Sequence, residues 1–292
     1  MKSSMQYYRS NESNNITCLL CKHYCKIKNG LNGFCKININ NDGKLENLSY
    51  GYPTALHVDP VEKKPLYHFL PSSLSLSLGT VGCNFRCPFC QNFSISQTSK
   101  INKNKFFSPN DIVELALAND VKSISYTYNE PTIWYQYAKD IGQIARQAGL
   151  KNIFVSSGFE SDEVIEDMKL WVDAANIDLK SFSRAYYAKI LKADLHGVLE
   201  NLIKLAFSNI WLEITTLLIP GVNDSNDEIE AMTSFIIENL GMDIPWHFSA
   251  FHPTYKMTDT YSTPLETLLL AKQIAEKGGI KYVYLGNIKN DN

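Results

Sequence analysis

The nine residues 82–90 read GCNFRCPFC and place three cysteines, Cys83, Cys87 and Cys90, at the spacing C-x3-C-x2-C. This spacing supplies three closely placed thiolates and no fourth. An iron-sulfur cube has four irons, so three thiolates leave one iron with an open coordination position. An open position distinguishes a metal centre that does chemistry from one that is only structural. The stretch therefore predicts that a further ligand binds this iron.

With an aromatic residue, Phe89, directly before its last cysteine, the motif resembles the signature of the radical S-adenosylmethionine (radical SAM) superfamily. The resemblance implies a 4Fe-4S cluster held by Cys83, Cys87 and Cys90. It also implies that S-adenosylmethionine chelates the open iron and is reductively cleaved to a 5'-deoxyadenosyl radical, which abstracts hydrogen from a substrate. A structural zinc site and a chance grouping of buried cysteines are the alternatives. The zinc site would need a distant fourth ligand, since no cysteine or histidine lies between Cys90 and His196.

Composition limits the other possibilities. A chain of 292 residues with 45% hydrophobic content can bury a large core, and it fits one barrel-sized domain with a small appendage as well as two domains. The net charge of -2 gives no sign of a nucleic-acid-binding surface. The polar first fifteen residues and the absence of any apolar run of about 18 residues predict a cytoplasmic protein without a membrane span. All seven cysteines fall in residues 18–35 and 83–90, which argues against a disulfide framework.

After residue 73, short β-rich runs alternate with longer amphipathic runs, and this alternation is typical of parallel βα units. The predicted strands are Leu74–Leu78, Ser123–Tyr128, Asn152–Ser156, Asn176–Leu179, Trp211–Ile219, His247–Phe251 and Tyr282–Leu285. The predicted helices are Pro109–Asn119, Thr132–Ala148, Ser161–Trp171, Ser183–Phe207, Asp227–Leu240 and Pro264–Lys277. We expect an α/β fold, a partial (β/α)6-type parallel barrel over residues 73–292, preceded by a cysteine-rich metal-binding segment and linker over residues 1–72. The radical SAM resemblance implies the same core fold.

Residues typical of helix ends support this division. Ser108-Pro109 and Thr263-Pro264 each combine a capping hydroxyl with a first-turn proline, which predicts two helix starts. Gly149 and the pair Gly278-Gly279 stand where helices should end.

Two candidate cofactor residues follow the second predicted strand, and functional groups of parallel barrels collect at such strand ends. Asn129 and Glu130 occupy the place of the short Gly-Gly-Glu-type element that, by the resemblance, holds the amino group of S-adenosylmethionine. A carboxylate suits this task because it accepts ammonium hydrogens. The alternative is a simple Asn/Pro loop that starts the next helix.

Three more candidates follow the third and fourth strands. Ser157 stands where relatives commonly carry Thr-Asn-Gly, and its hydroxyl can bond a ribose or carboxylate oxygen. Asp178 and Lys180 resemble the Asp-x-Lys element of the glycyl-radical activase branch, and their spacing of two places them on one face of a strand. An ordinary ion pair is the alternative. No residue is predicted to be a catalytic acid or base, and His247 and His252 are interpreted as structural.

A second cysteine set precedes the barrel: Cys18, Cys21, Cys25 and Cys35, at the spacing C-x2-C-x3-C-x9-C. Four close thiolates can close a tetrahedral zinc site or hold a second iron-sulfur cluster, and both possibilities stay open. Metal binding is favoured over four free thiols. With every position filled, such a centre would be structural or an electron relay.

Together with this set, the segment DPVEKKPLYHF (59–69) and the segment YTYNEPT (126–132) resemble one subgroup. It is the radical SAM enzyme of the AmmeMemoRadiSam system, which is itself similar to pyruvate formate-lyase activating enzymes. The resemblance implies a protein or peptide substrate, with Memo-like and AMMECR-type proteins as partners and flavodoxin or ferredoxin as electron donor. Members of the subgroup usually continue into a tail with another cysteine pair, and we expect this tail to be truncated or lost here.

The sequence thus predicts a radical SAM oxidoreductase that cleaves S-adenosylmethionine reductively. Within this class, activation of a glycyl-radical enzyme and modification of another substrate both stay open. An iron-sulfur electron-transfer protein and a zinc-stabilised interaction protein are the alternatives from other classes. An electron carrier would not cleave S-adenosylmethionine, and a zinc protein would contain no iron.

Overall fold

The structure, a computed structural model, describes residues 7–288. Its strands are β1 (Tyr8–Ser10), β2 (Ile16–Cys18), β3 (Lys26–Ile27), β4 (Asn38–Asn41), β5 (Lys44–Asn47), β6 (Ala55–Pro60), β7 (Leu74–Gly79), β8 (Ser123–Tyr126), β9 (Lys151–Ser156), β10 (Ala174–Asp178), β11 (Trp211–Leu218), β12 (Trp246–Ala250) and β13 (Val283–Gly286). Its α-helices are α1 (Phe93–Ser96), α2 (Pro109–Ala118), α3 (Tyr135–Gln147), α4 (Asp162–Met168), α5 (Arg184–Tyr186), α6 (Leu195–Ala206), α7 (Asn226–Asn239) and α8 (Leu265–Gly278). In this part of the chain, no helix is both long and apolar enough to cross a membrane.

The central sheet is mostly parallel. Strands β7 to β13 lie side by side in chain order, each parallel to the next, and β6 pairs antiparallel with β7 at one edge. The carboxyl ends of the seven parallel strands therefore meet at one end of the sheet. The expected partial parallel barrel is confirmed, and β6 is a strand that was not predicted.

Alternation along the strands decides which side chains face the barrel interior. On β12, Trp246 and Phe248 are buried on one face, with ring centroids 4.3 Å apart. The intervening His247, and Ser249 after them, point to the opposite face and line the interior cavity. A strand with both faces covered in this way is what a parallel barrel requires.

Two predicted helix termini are confirmed, and a third helix starts where predicted but without its predicted cap. Ser108 forms a capping box with Asp111, and Gly279 ends α8 in the left-handed conformation with φ +118°. The Thr263 hydroxyl, however, donates to the Leu218 carbonyl instead of capping α8. This tertiary bond replaces the local cap that the sequence predicts.

The predicted continuous helix Ser183–Phe207 is also wrong. After α5 the chain forms a π-turn over Tyr187–Leu191 and then breaks at Lys192, which has a left-handed φ of +60°. Asp194 starts α6 by accepting a hydrogen bond from the Gly197 amide. The amphipathic pattern continues across this break, so periodicity alone does not reveal it.

The loop between β6 and β7 enters the barrel. Val61 and Leu66 pack against Ile153 and Ala174 of β9 and β10 in a small apolar cluster. The backbone amide of Tyr67 donates to the buried Glu213 carboxylate at 3.0 Å. Residues of the predicted linker thus contribute to the same interior as the parallel strands, and the domain division at residue 72 stays a prediction.

Candidate cofactor site

One cavity of about 640 Å³ lies at the carboxyl end of the parallel strands. It brings together eight residues that the sequence singles out: Cys83, Cys87, Cys90, Asn129, Glu130, Ser157, Asp178 and Lys180. They come from the ends of β7 to β10 and from residues 80–92, which we call the cluster loop. The local order of strands thus collects groups that are almost a hundred residues apart in the chain.

Two of the three cluster-loop thiols, those of Cys83 and Cys87, have pKa values raised by burial. Burial, joined by the charge of Glu130, raises the pKa of Cys83 well above its usual value, and burial raises the pKa of Cys87 to about 12. A bound metal deprotonates such thiols because its positive charge stabilises the thiolate. A set of three thiols on one cavity, two of them with raised pKa values, therefore fits a group that brings its own positive charge.

The polar surroundings of the thiols agree with that fit. The Phe85 amide donates to the Cys83 sulfur at 3.3 Å, and hydrogen bonds of this kind stabilise a thiolate. The buried Asn84 side-chain nitrogen has no protein partner among the described residues. In residues 7–288, no three histidine, cysteine or acidic side chains converge on one single-ion position. A 4Fe-4S cluster makes no such demand, since its thiolates bind different irons.

Asn129 stabilises the cluster loop from inside. Its side-chain oxygen accepts from the Thr80 amide and the Trp134 indole, both at 3.1 Å. Its side-chain nitrogen donates to the Gly82 carbonyl at 2.9 Å and to the Thr80 hydroxyl at 3.3 Å. These four bonds use all the hydrogen-bonding capacity of the amide. Asn129 can therefore offer a cofactor only its backbone.

Glu130 is 2% exposed and borders the cavity. One carboxylate oxygen accepts from the hydroxyls of Thr132 at 2.7 Å and Ser156 at 2.8 Å, and the other accepts from the Ser157 amide at 2.9 Å. The carboxylate also caps the short 3-10 turn that begins at Pro131. Glu130 is thus both the start of the next helical turn and a fixed acceptor beside the cysteines.

Asp178 and Lys180 form the ion pair that the sequence left as an alternative, with 2.6 Å between carboxylate oxygen and ammonium nitrogen. Burial alone would lower the pKa of Lys180, but the charges of Asp178 and Cys87 outweigh it and raise that pKa. A cation close to Cys87 favours the thiolate form. Ser157 lies on the cavity wall between this pair and Glu130.

Sequence reasoning missed two buried acidic residues of this barrel. Glu213 accepts a 2.7 Å hydrogen bond from His247, which lines the cavity, as well as bonds from the loop amides of Tyr67 and His68. Burial alone would raise the pKa of Glu213, but these bonds, led by that of His247, hold it below its usual value. The available signal was a charged residue inside an otherwise buried strand pattern.

The second missed residue is Glu160, which is fully buried behind Glu130. Burial first, and the charge of Glu130 second, raise the pKa of Glu160 above its usual range. An acidic residue four positions after the end of a buried strand was the signal, but only the folded chain brings Glu160 next to Glu130.

The four amino-terminal thiols lie outside the cavity lining. Burial raises the pKa of Cys18, Cys21 and Cys35. Each of these sulfurs receives a backbone hydrogen bond from the residue two positions later: Leu20, His23 and Ile37. The Cys25 sulfur accepts from the Phe34 amide at 3.4 Å. Amides aimed at buried sulfurs stabilise thiolates, which are the form that binds metal.

This N-terminal cysteine segment, residues 18–35, packs directly on the cluster loop. The His23 ring nitrogen lies 2.8 Å from the Asn84 carbonyl oxygen. A Cβ atom at Gly82 would lie 2.9 Å from the Cys35 carbonyl oxygen, so the two backbones touch where Gly82 adopts φ +85°. Glycine is required there both by the close approach and by the left-handed backbone.

Comparison with known proteins identifies the class. Residues 77–236, more than half of the chain, match the model of the radical SAM superfamily, and the chain belongs to that superfamily. Membership implies a 4Fe-4S cluster and S-adenosylmethionine as cofactors.

Its relatives narrow the class to proteins like the pyruvate formate-lyase activases. The uncharacterized protein MJ0808 of Methanocaldococcus jannaschii is 40% identical over 289 residues, which are 99% of this chain and 86% of that one. The putative glycyl-radical enzyme activating enzyme MJ1632 of the same organism is 26% identical over 75% of this chain and 83% of its own. The pyruvate formate-lyase 1-activating enzyme of Escherichia coli K12 is 21% identical over 70% of this chain and 89% of its own.

Proposed function

We propose that this radical SAM enzyme holds its 4Fe-4S cluster with Cys83, Cys87 and Cys90 and binds S-adenosylmethionine against the ends of β8 to β10. The observation that carries the proposal is the single cavity shared by these thiols and the strand-end polar groups. When bound, the cluster and S-adenosylmethionine supply reductive cleavage to a 5'-deoxyadenosyl radical, and the protein supplies binding, orientation and exclusion of water.

The residues of the chain divide these tasks. Glu130 provides a buried acceptor for the cofactor amino group, and two hydroxyls and backbone amides hold it in place. Lys180 places a positive charge near Cys87 and so offsets part of the negative charge that three thiolates bring. Ser157 offers a hydroxyl on the wall between them. Asn129 keeps the cluster loop in position.

The assay for this proposal is anaerobic reconstitution with iron and sulfide, reduction by dithionite with S-adenosylmethionine, and chromatography of 5'-deoxyadenosine and methionine. Both products are expected. A loaded and reducible cluster that yields neither product indicates an electron-transfer protein, and a preparation that takes up zinc but no iron indicates a zinc-stabilised interaction protein. Either result overturns the proposal.

Glu130→Ala tests the cofactor contact separately from the cluster. Removing a charged acceptor is expected to weaken S-adenosylmethionine binding about 10- to 100-fold, while iron and sulfide content stay at the wild-type level. Titration of the reconstituted protein with S-adenosylmethionine measures the Kd. Glu230→Ala, at an exposed position of α7, is the matched control and should leave the Kd unchanged. An unchanged Kd in Glu130→Ala would remove Glu130 from the site.

We further propose a macromolecular target for the radical. The support is that one relative is named a putative glycyl-radical enzyme activating enzyme and another a pyruvate formate-lyase 1-activating enzyme, so both names describe enzymes that act on a protein. Memo-like and AMMECR-type proteins are the other candidate partners, with flavodoxin or ferredoxin as the reductant. Incubation of the reduced enzyme with each candidate, followed by electron paramagnetic resonance for a glycyl radical and by mass spectrometry, separates these targets.

The N-terminal cysteine segment is proposed to bind zinc or a second iron-sulfur cluster through Cys18, Cys21, Cys25 and Cys35. The cluster agrees better with the structure, because in residues 7–288 no three such side chains converge on one single-ion position. The support is the set of backbone amides directed at buried sulfurs. A triple variant with Cys83, Cys87 and Cys90 changed to alanine removes the first cluster, so any metal that copurifies belongs to this segment. One zinc per chain identifies a structural site, and iron with sulfide identifies a second cluster. A variant that contains no zinc and no iron contradicts the proposal.

A further inference from the structure

Glu160 occupies a position that no cofactor contact explains. It follows β9, is completely buried and does not line the cavity. One of its carboxyl oxygens contacts the Ser156 hydroxyl and lies 3.0 Å from the Thr132 hydroxyl. The same two hydroxyls contact Glu130 at 2.8 Å and 2.7 Å. Two carboxyl groups are therefore joined through two shared hydroxyls.

The number of available hydrogens shows that this arrangement is constrained. Each hydroxyl has one hydrogen to donate, yet each lies between two carboxyl oxygens. The Ser156 oxygen also accepts from the Gly158 amide at 3.0 Å, which restricts the directions that its hydroxyl hydrogen can take. Backbone amides of Thr132 and Ser157 point at Glu130. With the amides and both hydroxyl hydrogens directed at Glu130, the negative charge belongs there. Glu160 then carries a proton, as burial and the charge of Glu130 favour, and donates it to one of the two hydroxyl oxygens.

The backbone of Glu160 is fixed by contacts on the side away from the cavity. The Asn201 side-chain nitrogen donates to its backbone carbonyl at 2.8 Å, and its backbone forms a β-bridge with Cys21 of the N-terminal cysteine segment. The next residue, Ser161, donates through its hydroxyl to the Leu19 carbonyl at 2.5 Å. The side chain therefore projects from a backbone that is fixed on both sides.

We propose that Glu160 is a positioning residue, which holds the Glu130 carboxylate in its cofactor-facing orientation through the hydroxyls of Ser156 and Thr132. The inference rests on the proposed role of Glu130 in binding S-adenosylmethionine. Glu160 touches neither the cavity nor the cluster thiols, so its effect is expected in cofactor affinity and not in cluster content.

Glu160→Ala and Glu160→Gln together test this role. Alanine removes the contacts with both hydroxyls, and we expect about a tenfold rise in the Kd for S-adenosylmethionine, with iron content unchanged and a near-normal cleavage rate at saturating cofactor. Glutamine keeps the length and hydrogen-bonding capacity of the side chain and is expected to restore the Kd to within about threefold. If the alanine variant does not fold, Glu160→Asp, which shortens the same group by one methylene, replaces it.

A double-mutant cycle with Glu130 separates positioning from a general structural effect. If Glu160 acts through Glu130, Glu160→Ala should add less than about twofold to the Kd of Glu130→Ala. Equal effects of Glu160→Ala in both backgrounds, or no effect in the wild-type background, would overturn the inference. If Glu130→Ala alone left the Kd unchanged, the proposed role of Glu130 would fail first, and the two failures are thus distinguishable.

Discussion

The thiols of the cluster loop and those of the N-terminal cysteine segment lie in different surroundings. The loop presents three cysteines to a cavity of about 640 Å³, where other polar groups face them. The segment gathers four cysteines away from that cavity and directs backbone amides at their sulfurs. A three-thiol site leaves room for a reacting ligand, whereas a four-thiol site is complete in itself. If both sets bind metal as proposed, the loop would serve chemistry and the segment would serve support.

The two regions are nevertheless in direct contact. The backbone of Cys35 touches Gly82, and the backbone of Cys21 pairs with Glu160 behind the cofactor site. The segment thus contacts both the loop that carries the cluster cysteines and the strand end that carries Glu160. Substitutions in the cluster loop should therefore change cluster content and activity, whereas substitutions in the N-terminal cysteine segment should change stability. The expected effects decrease from Cys87→Ala to Arg86→Lys.

Cys87→Ala should have the largest effect. Loss of one of three thiolates removes a cluster ligand, and we expect 5'-deoxyadenosine formation to fall to the background rate with iron content strongly reduced. Iron analysis and the dithionite assay measure both quantities. The matched variant Cys21→Ala should keep the cluster-loop iron and a substantial part of the activity. Equal loss in both variants would contradict the separation of the two regions.

Cys21→Ala should instead act on stability. If the segment binds metal, loss of one of its four ligands should lower the free energy of unfolding by about 3 kcal/mol, because metal binding contributes to folding. Thermal unfolding of the protein with and without a chelator provides the measurement. The chelator should lower the melting temperature of the wild type and have little effect on the variant. A chelator effect of equal size in both would show that the stabilising metal lies elsewhere.

The fold was predictable where local patterns decide it. Short β-rich runs alternating with amphipathic runs give the parallel order of β7 to β13. The errors come from tertiary contacts that override local patterns. Thr263 has the sequence of a helix cap, but its hydroxyl bonds to Leu218 across the sheet. The strand Ala55–Pro60 forms because it pairs with β7 at the edge of the sheet, and no local sequence pattern predicts such a pairing.

The residues of the site also fall into two groups, those that the sequence reveals and those that it does not. The cysteine spacing and the strand-end positions of Glu130 and Asp178 can be read from the chain, because a parallel barrel brings strand ends together. Glu160 and Glu213 cannot, because their roles depend on partners distant in sequence. Glu213, for example, meets a loop amide 146 positions away. The role of such a buried acidic residue becomes visible only from the backbone and side-chain groups that fold against it.

Arg86→Lys should give the smallest effect and tests the contact between the two regions. The Arg86 guanidinium donates to the Cys83 carbonyl at 2.8 Å and to the Phe34 carbonyl at 2.5 Å, and it lies 4.0 Å from the centre of the Phe34 ring. A lysine ammonium cannot reproduce this planar set of donors. We expect the free energy of unfolding to fall by about 1–2 kcal/mol, with the Kd for S-adenosylmethionine within about threefold of wild type.

The control for this variant is Arg146→Lys, which replaces an exposed arginine that also donates to a backbone carbonyl, that of Leu170, far from both cysteine regions. Its expected cost is below about 0.5 kcal/mol, as for most surface substitutions. Denaturant unfolding of both variants gives the comparison. Equal costs would mean that Arg86 acts as an ordinary surface arginine. A larger cost for Arg86→Lys that disappears once Cys21→Ala is also present would show that the contacts of Arg86 with Phe34 transmit the stability of the N-terminal cysteine segment to the cluster loop.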